Sequence, residues 1–362
     1  MKIIAVGDIM PGGVFNKTNN KFVSPRIKKI FSQGDIRVGT LETAIGNEPN
    51  FCKEKMERLS DVIYVEDDDI KRLLELNINI LSLANNHFFD LGLKGAEHTI
   101  ELLDKHGIKH CGGGRNLEEA SKPVVEIING KTYAFLAYCD WHETMGWCPF
   151  ATENEPGINP LYKENVIRDI KKHKEIYDYV VILPHWGTEY DYKPNSFEYK
   201  MSKAMIKAGA DIILGSHTHC VQPLIKYNKK IIAYGLGNFF FPDRIICPPR
   251  STYYSNNIID LEKLPVTYSY PYVKEITLKR WRNEARVGMI LSLEIDEKNN
   301  IMLSERQFVH INENNYVDII DCPKSLDAHL KKISIGLHSR MYVSILFIYR
   351  LFNYISRRLK KN

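Results

Sequence analysis

Five short apolar runs in this chain each end in a residue that can bind a metal ion, and that recurrence restricts the fold more than any other feature. Ile3 to Val6 hands over to Gly7-Asp8, residues 35–40 to Leu41-Glu42, and residues 78–83 to Asn85-Asn86-His87. The run 179–183 ends in Pro184-His185, and the segment from Gly209 ends in Gly215-Ser-His217-Thr-His219. Runs this short and this rich in β-branched residues read as buried strands. Stretches with helical spacing lie among them, at residues 67–76, 95–106, 162–177 and 196–208. Strand–helix alternation predicts an α/β fold, in which ligands gather beyond the carboxyl ends of strands. One polar strand end is ordinary. Five that can all ligate a metal predict a single site.

The donor types narrow the chemistry. A mixture of carboxylate (Asp8, Glu42), amide oxygen (Asn86) and imidazole (His87, His185, His217, His219) suits Mn, Fe or Zn. A carboxylate can bridge two cations about 3.5–4 Å apart, the spacing at which paired ions hold a phosphoryl-like group and activate water. In an extended segment or a tight loop, side chains at i and i+2 point the same way, so His217 and His219 could reach one site together. Trp186, Glu189 and Tyr190 follow His185 and are candidates for the wall of a substrate cleft, although Trp186 serves equally well as core packing. Asn238, after the apolar run 231–234, is a further candidate at the site, whereas Cys220 reads as a buried thiol.

Length and charge set the remaining bounds. A chain of 362 residues is long enough for one large domain or two ordinary ones. Residues 1–312 read as the body, with 242–284, rich in Pro and Tyr, as an irregular insertion and residues 288–311 as a closing β-hairpin. Residues 313–362 read as a C-terminal extension. Residues 331–362 hold eight of the 49 Lys and Arg and none of the 44 Asp and Glu, so the body is mildly acidic. That balance argues against a broad nucleic-acid surface. Seven scattered cysteines without a C-x-x-C pair, and an N-terminus without a signal-peptide pattern, predict reduced thiols and a cytoplasmic protein. The apolar run 341–355 is broken by Arg350 and followed by Arg357-Arg-Leu-Lys-Lys361, too short to span a bilayer. It fits either a helix on an anionic membrane surface, over residues 336–362, or one packed on the body.

The ordered set Gly7-Asp8-Ile9-Met10, Leu41-Glu42-Thr43, Asn85-Asn86-His87-Phe-Phe-Asp90, His185-Trp-Gly187, His217-Thr-His219 and Gly235-Leu-Gly-Asn-Phe239 resembles the calcineurin-like metallophosphoesterase superfamily. It is most similar to the capsule-synthesis branch, the CapA/PgsA-type poly-γ-glutamate biosynthesis proteins. The resemblance runs from residue 2 to about 312. It implies an αββα sandwich of two sheets, one or two divalent ions, and an anionic polymer or its precursor as substrate, with a polymer synthase complex as partner. Carried over by position, Asp8, Glu42 and His219 would hold one ion, and Glu42, Asn86, His185 and His217 the other. His87 would be the general acid, oriented by Asp90. Three positions depart from the superfamily pattern: Met10 where Asp-x-His is usual, Glu42 in place of a bridging Asp, and His87-Phe-Phe-Asp90 in place of a His-Asp/Glu pair. Two functions follow: a metal-dependent hydrolase, or a non-catalytic accessory protein that binds polymer or synthase through an altered metal site.

Overall fold

The computed structural model describes every residue except 15–20, 48–50, 58–60, 141–147, 249, 253–259, 269–271 and 338–362. The first of its two large sheets is organised around strand Lys2–Ile9. That strand pairs in parallel with Ile36–Leu41 on one side and antiparallel with Val287–Ile295 on the other. Ile80–Ser82 and Lys109–Cys111 extend the sheet in one direction, Ile301–Ile311 and Val317–Ile320 in the other, and Asn238–Phe240 pairs with the end of Lys2–Ile9. The second sheet runs in the order Leu224–Tyr227, Lys230–Ala233, Ile212–Leu214, Tyr179–His185, Lys131–Cys139, Val124–Ile128.

Side-chain alternation shows how the layers stack. On Lys131–Cys139, Phe135, Ala137 and Cys139 join the core shared with the first sheet, whereas Leu136 and Tyr138 join a second core. Val181 and Leu183 against Val180 and Ile182 repeat the split on Tyr179–His185. This is the period of two expected of strands buried on both faces. Helices Lys163–Lys174 and Ser196–Ala208 close the second core with Val166, Ile170, Met201 and Met205. Helices Pro25–Phe31 and Gly92–Lys105 supply Ile27, Ile30, Phe31, Leu102 and Leu103 to the first. The result is the expected αββα sandwich. Ser196–Ala208 falls on its predicted limits because both ends are written in the sequence. An Asn195–Glu198 capping box starts it, and Gly209, with φ of 127°, stops it.

Two regions differ from expectation. Residues 242–284 are not irregular: their described part contains a small sheet in the order Ser251–Thr252, Arg244–Cys247, Thr277–Lys279, Val266–Thr267. Strands of two to four residues are too short to leave an alternation that sequence can reveal. The C-terminal extension begins with strand Val317–Ile320 in the first sheet, and a helix over 324–337 then docks on the body, placing Leu326 and Leu330 in the first core and Leu337 in the second. Residues 338–362, which make up nearly all of the stretch read as a membrane-surface candidate, lie outside the described residues. Among the described residues, no helix is long and apolar enough to cross a membrane. All seven cysteines are free thiols, five of them buried.

Candidate metal centre

Close backbone approach brings the strand ends together. A Cβ at Gly7 would lie 1.9 Å from the Gly237 carbonyl oxygen, and one at Gly215 would lie 1.8 Å from that of Tyr234. Only glycine permits either contact. At the first, the Asp8 amide donates to the same Gly237 carbonyl (3.1 Å), which turns the Asp8 side chain inward. Of the two arrangements open to the H-x-H segment, the structure shows the bent one. His217 and His219 have φ of 89° and 53°, and apart from Tyr190 at 62° every other non-glycine residue with positive φ among the described residues is an asparagine. Asparagine and histidine are enriched in that region, and a non-glycine residue held there inside a buried cluster is the kind of strain found at functional sites. The two imidazoles still converge, with ring centroids 6.2 Å apart.

The donor atoms fall into two sets, each lying within 4.8 Å of one another: Glu42 with His185 and His217, and Asp8 with Glu42 and His219. Glu42 is common to both. Asn86 Oδ1 lies 2.9 Å from His185 Nε2, which is itself 3.6 Å from Glu42 Oε1, so Asn86 joins the first set. His219 Nδ1 sits 3.7 Å from Glu42 Oε2 and 3.8 Å from Asp8 Oδ2. This partition matches the one implied by resemblance.

Neighbouring groups hold the rings. His185 Nδ1 lies 2.9 Å from Ser216 Oγ, which accepts from Thr40 Oγ1 at 3.1 Å. Asn238 is fully buried beside His219. Its Oδ1 is 2.9 Å from His219 Nδ1, the ring nitrogen that also faces Asp8 and Glu42, and its Nδ2 donates to the Ala285 carbonyl. A partner on the other ring nitrogen, as Ser216 is on His185 Nδ1, is worth about 10–100-fold in metal affinity. Ser216→Ala is accordingly expected to weaken metal binding by about that factor without unfolding the protein, as measured by chelator competition.

The electrostatics test whether a cation suits these residues. Asp8, Glu42 and His185 are wholly inaccessible to solvent. Burial pushes the Asp8 carboxyl up to about 7, against the pull of the His217 amide. Burial, followed by the nearby Asp8 charge, pushes Glu42 well above its ordinary range. Burial holds His185 far below the usual imidazole value and His219 at about 3. Neither Glu42 oxygen has a hydrogen-bond donor among the described residues. Two carboxyl groups and three imidazoles closed off from water are expensive without compensation. A divalent cation compensates, because it favours the deprotonated form of every one of them. The residues fit a metal.

After Asn86 comes a histidine paired with a buried carboxylate. His87 Nδ1 is 2.7 Å from Asp90 Oδ2, and Asp90 also accepts from the Ile63 amide and forms an ion pair through Oδ1 with Lys55. Lys55, on helix Lys53–Glu57, is only 1% exposed and also donates to the Asn86 carbonyl. Sequence reasoning missed it: a lysine in a charged stretch reads as surface, and nothing in Lys53-Glu-Lys-Met-Glu57 marks the buried one. Burial holds the His87 pKa down; Asp90 opposes that and Lys55 adds to it.

The remaining candidates divide. Tyr190 stands beside the centre, its ring 6.1 Å from His219, and Glu189 is pushed up to about 7 by burial and by Asp61. Trp186 is not a cleft wall. It is fully buried in the helix-covered second core, where its indole donates to the Tyr234 carbonyl at 2.8 Å, because it alternates with His185 on the far face of the strand. Met10 is likewise buried in the first core, its methyl end beside Gly13.

Comparison with known proteins follows from this geometry. The model of the family described as bacterial capsule synthesis protein PGA_cap matches residues 2–243. The chain is 33% identical over 241 residues to the PGA biosynthesis protein CapA of Bacillus subtilis, covering 65% of this chain and 62% of that protein. It is 31% identical to the capsule biosynthesis protein CapA of Bacillus anthracis, over 65% of this chain and 58% of that protein. The match thus spans about three-fifths of the length of these relatives. A solved 5'-nucleotidase from Candida albicans aligns at 11% identity with a TM-score of 0.41, over 94% of this chain and 57% of its own. With its ligand-bearing strand ends all inside the matched stretch, the chain belongs to the bacterial capsule synthesis protein PGA_cap family.

Proposed function

We propose that this chain is a metal-dependent hydrolase or transferase that acts on an anionic capsular polymer or its precursor. The observation that carries the reading is Glu42, shared by two sets of ligand atoms beside the His87–Asp90–Lys55 group. Asp8, Glu42 and His219 would hold one divalent ion, and Glu42, Asn86, His185 and His217 a second, with Mn, Fe or Zn suited to these donors. Such ions supply Lewis acidity and a nucleophile from water at neutral pH.

The chain's own residues do the rest. Asp90, which also pairs with Lys55, accepts from His87 Nδ1–H and fixes that tautomer. Nε2 is then the nitrogen that exchanges a proton with the leaving group. Tyr190, beside His219, and Glu189 are half-buried and would meet the substrate. Family membership and the names of the Bacillus relatives support capsular polymer as the setting and a polymer synthase as partner.

Met10, in the core where the superfamily pattern has a ligand histidine, favours a second reading, an accessory protein whose metal site organises binding and does no chemistry. One experiment separates them. Metal-loaded protein is offered phosphoester and γ-glutamyl substrates alongside His217→Ala, and polymer output is measured in cells carrying each form. Turnover lost in the variant supports catalysis. Metal retention with no turnover, and polymer output unchanged by His217→Ala, rejects it.

A further inference from the structure

The end of strand Lys131–Cys139 brings together two cysteines that the metal centre does not use. Cys139 lies in register with His185 on the neighbouring strand. Its amide donates to the Asn159 carbonyl at 2.9 Å, and its carbonyl accepts from the Leu161 amide at 2.8 Å. The same short segment holds the neighbour of Cys148: the Pro149 carbonyl accepts from the Ile158 amide at 2.9 Å, and Phe150 bridges Ile158. Residues 158–161 thus fix the backbone at both cysteines, and both side chains enter the core shared by the two large sheets. There the thiols meet, with Cys148 the side-chain hydrogen-bond partner of Cys139. Cys139 Sγ also donates to the Asp140 carbonyl at 3.1 Å, and the Asp140 amide donates to the His185 carbonyl at 2.9 Å. Thiol pair and metal ligand are therefore one residue apart in the hydrogen-bond network.

A buried cysteine ordinarily serves as a small apolar side chain. The other three buried cysteines fit that use and have partners of other kinds. Cys52 donates to Glu54 Oε2 at 3.3 Å, Cys111 faces the backbone of Val124 and Ala137, and Cys220 faces Thr218. A thiol is a weak donor and a weak acceptor, so hydrogen bonding alone gives little reason to place two against each other. A covalent bond between them does. The two positions are nine apart in sequence, so closing the loop costs little chain entropy, and their backbones are already held in place. Cys139 is wholly inaccessible to solvent, whereas Cys148 is 7% exposed, which decides the thiol that a reagent meets first.

We propose that Cys139 and Cys148 are a modification site, a thiol pair that closes to a disulfide when the folded chain meets a small disulfide oxidant, and that the bond braces the strand end beside His185. Cys148 gives its proton to solvent, and its thiolate attacks one sulfur of the oxidant. The oxidant's S–S bond breaks and half of it leaves as a thiolate. Cys139 then gives up its proton and attacks Cys148 Sγ in the mixed disulfide, which releases the second half. Two protein thiols are oxidised to one disulfide, and the oxidant is reduced to two thiols. None of this depends on whether the metal centre turns over a substrate.

The test uses the full chain, freed of metal by chelator and incubated with glutathione disulfide under native conditions. Remaining thiols are alkylated, and the digested protein is mapped by mass spectrometry. The expected product joins Cys139 to Cys148 and leaves the other five cysteines unlinked to each other. Its rate of formation is unchanged by urea below the unfolding transition, because the pair is already in contact. Loop closure of this length predicts a Tm about 3 °C above that of the reduced protein. Cys148→Ser shows neither the link nor the rise, and dithiothreitol reverses both in wild type, which supplies the comparison if the variant does not fold. Two thiols that stay unreacted, a Cys148 that carries glutathione while Cys139 remains a thiol, or a link that forms only in denaturing urea overturns the site. A link that forms without raising the Tm overturns the bracing.

Discussion

Glu42→Gln is expected to empty the metal centre and, in the same step, to stabilise the metal-free protein. Glu42 belongs to both ligand sets, so losing its charge weakens both. At a metal concentration of about 100 times Kd, bound ion contributes about 2.7 kcal/mol of stability, and that increment should disappear. In the absence of metal the sign reverses. The wild-type carboxyl is wholly buried and faces Asp8, whose charge and side-chain hydrogen bond both raise its pKa. Glutamine removes the second carboxyl from that pair, and its N–H offers Asp8 a donor. Thermal unfolding with zinc and with chelator should therefore rank the two proteins in opposite orders.

The pH dependence of the metal-free protein carries the same signature. Asp8 at about 7 and Glu42, raised well above the ordinary carboxylate range, keep protons that the unfolded chain releases, so their contribution is full at low pH and lost as pH rises through the folded values. His219 at about 3 and the depressed His185 refuse protons that the unfolded chain accepts below about 6.5, so their contribution is lost as pH falls. The two effects oppose each other between about pH 4 and 6.5. Above that only the carboxyls act, and chelated wild type should lose up to about 1.4 kcal/mol per pH unit for each group still protonated. Glu42→Gln should flatten that decline.

Lys55→Met is the second large effect. The Lys55–Asp90 pair is buried on both sides, with side chains 1% and 0% exposed. Removing one partner of such a pair costs about 3–5 kcal/mol, because the other charge is stranded. Adding Asp90→Asn should return more than half of the loss, which a double-mutant cycle in urea would show. A structural ion pair predicts that much and nothing else. The positioning role predicts in addition that the His87 titration, followed by NMR, moves upward in Lys55→Met, since Lys55 holds its pKa down. An unmoved His87 titration would leave Lys55 with a purely structural part.

The sequence exposed the candidate ligands because each follows a short apolar run, and strand-end residues converge in an α/β sandwich. Asp8, Glu42, Asn86, His185, His217 and His219 were all legible as candidates for that reason. The geometry of the last pair was not: positive φ at His217 and His219 has no signature in the residues around them. Trp186 was ambiguous because a residue after a ligand points to the opposite face, and one sequence does not say which face is the core. Lys55 and the buried Arg244 and Lys279 were invisible, since burial of a cation depends on partners distant in sequence. The small sheet that holds the latter two was hidden by the brevity of its strands.

The most direct test of the metal centre is a zinc-soaked crystal measured on both sides of the zinc absorption edge. The account predicts one or two anomalous peaks within about 2.0–2.2 Å of ligand atoms, with Glu42 ligating at each, His185 and His217 at one, and Asp8 and His219 at the other. Peaks confined to surface histidines, with the Glu42 carboxyl bound to none, would contradict it.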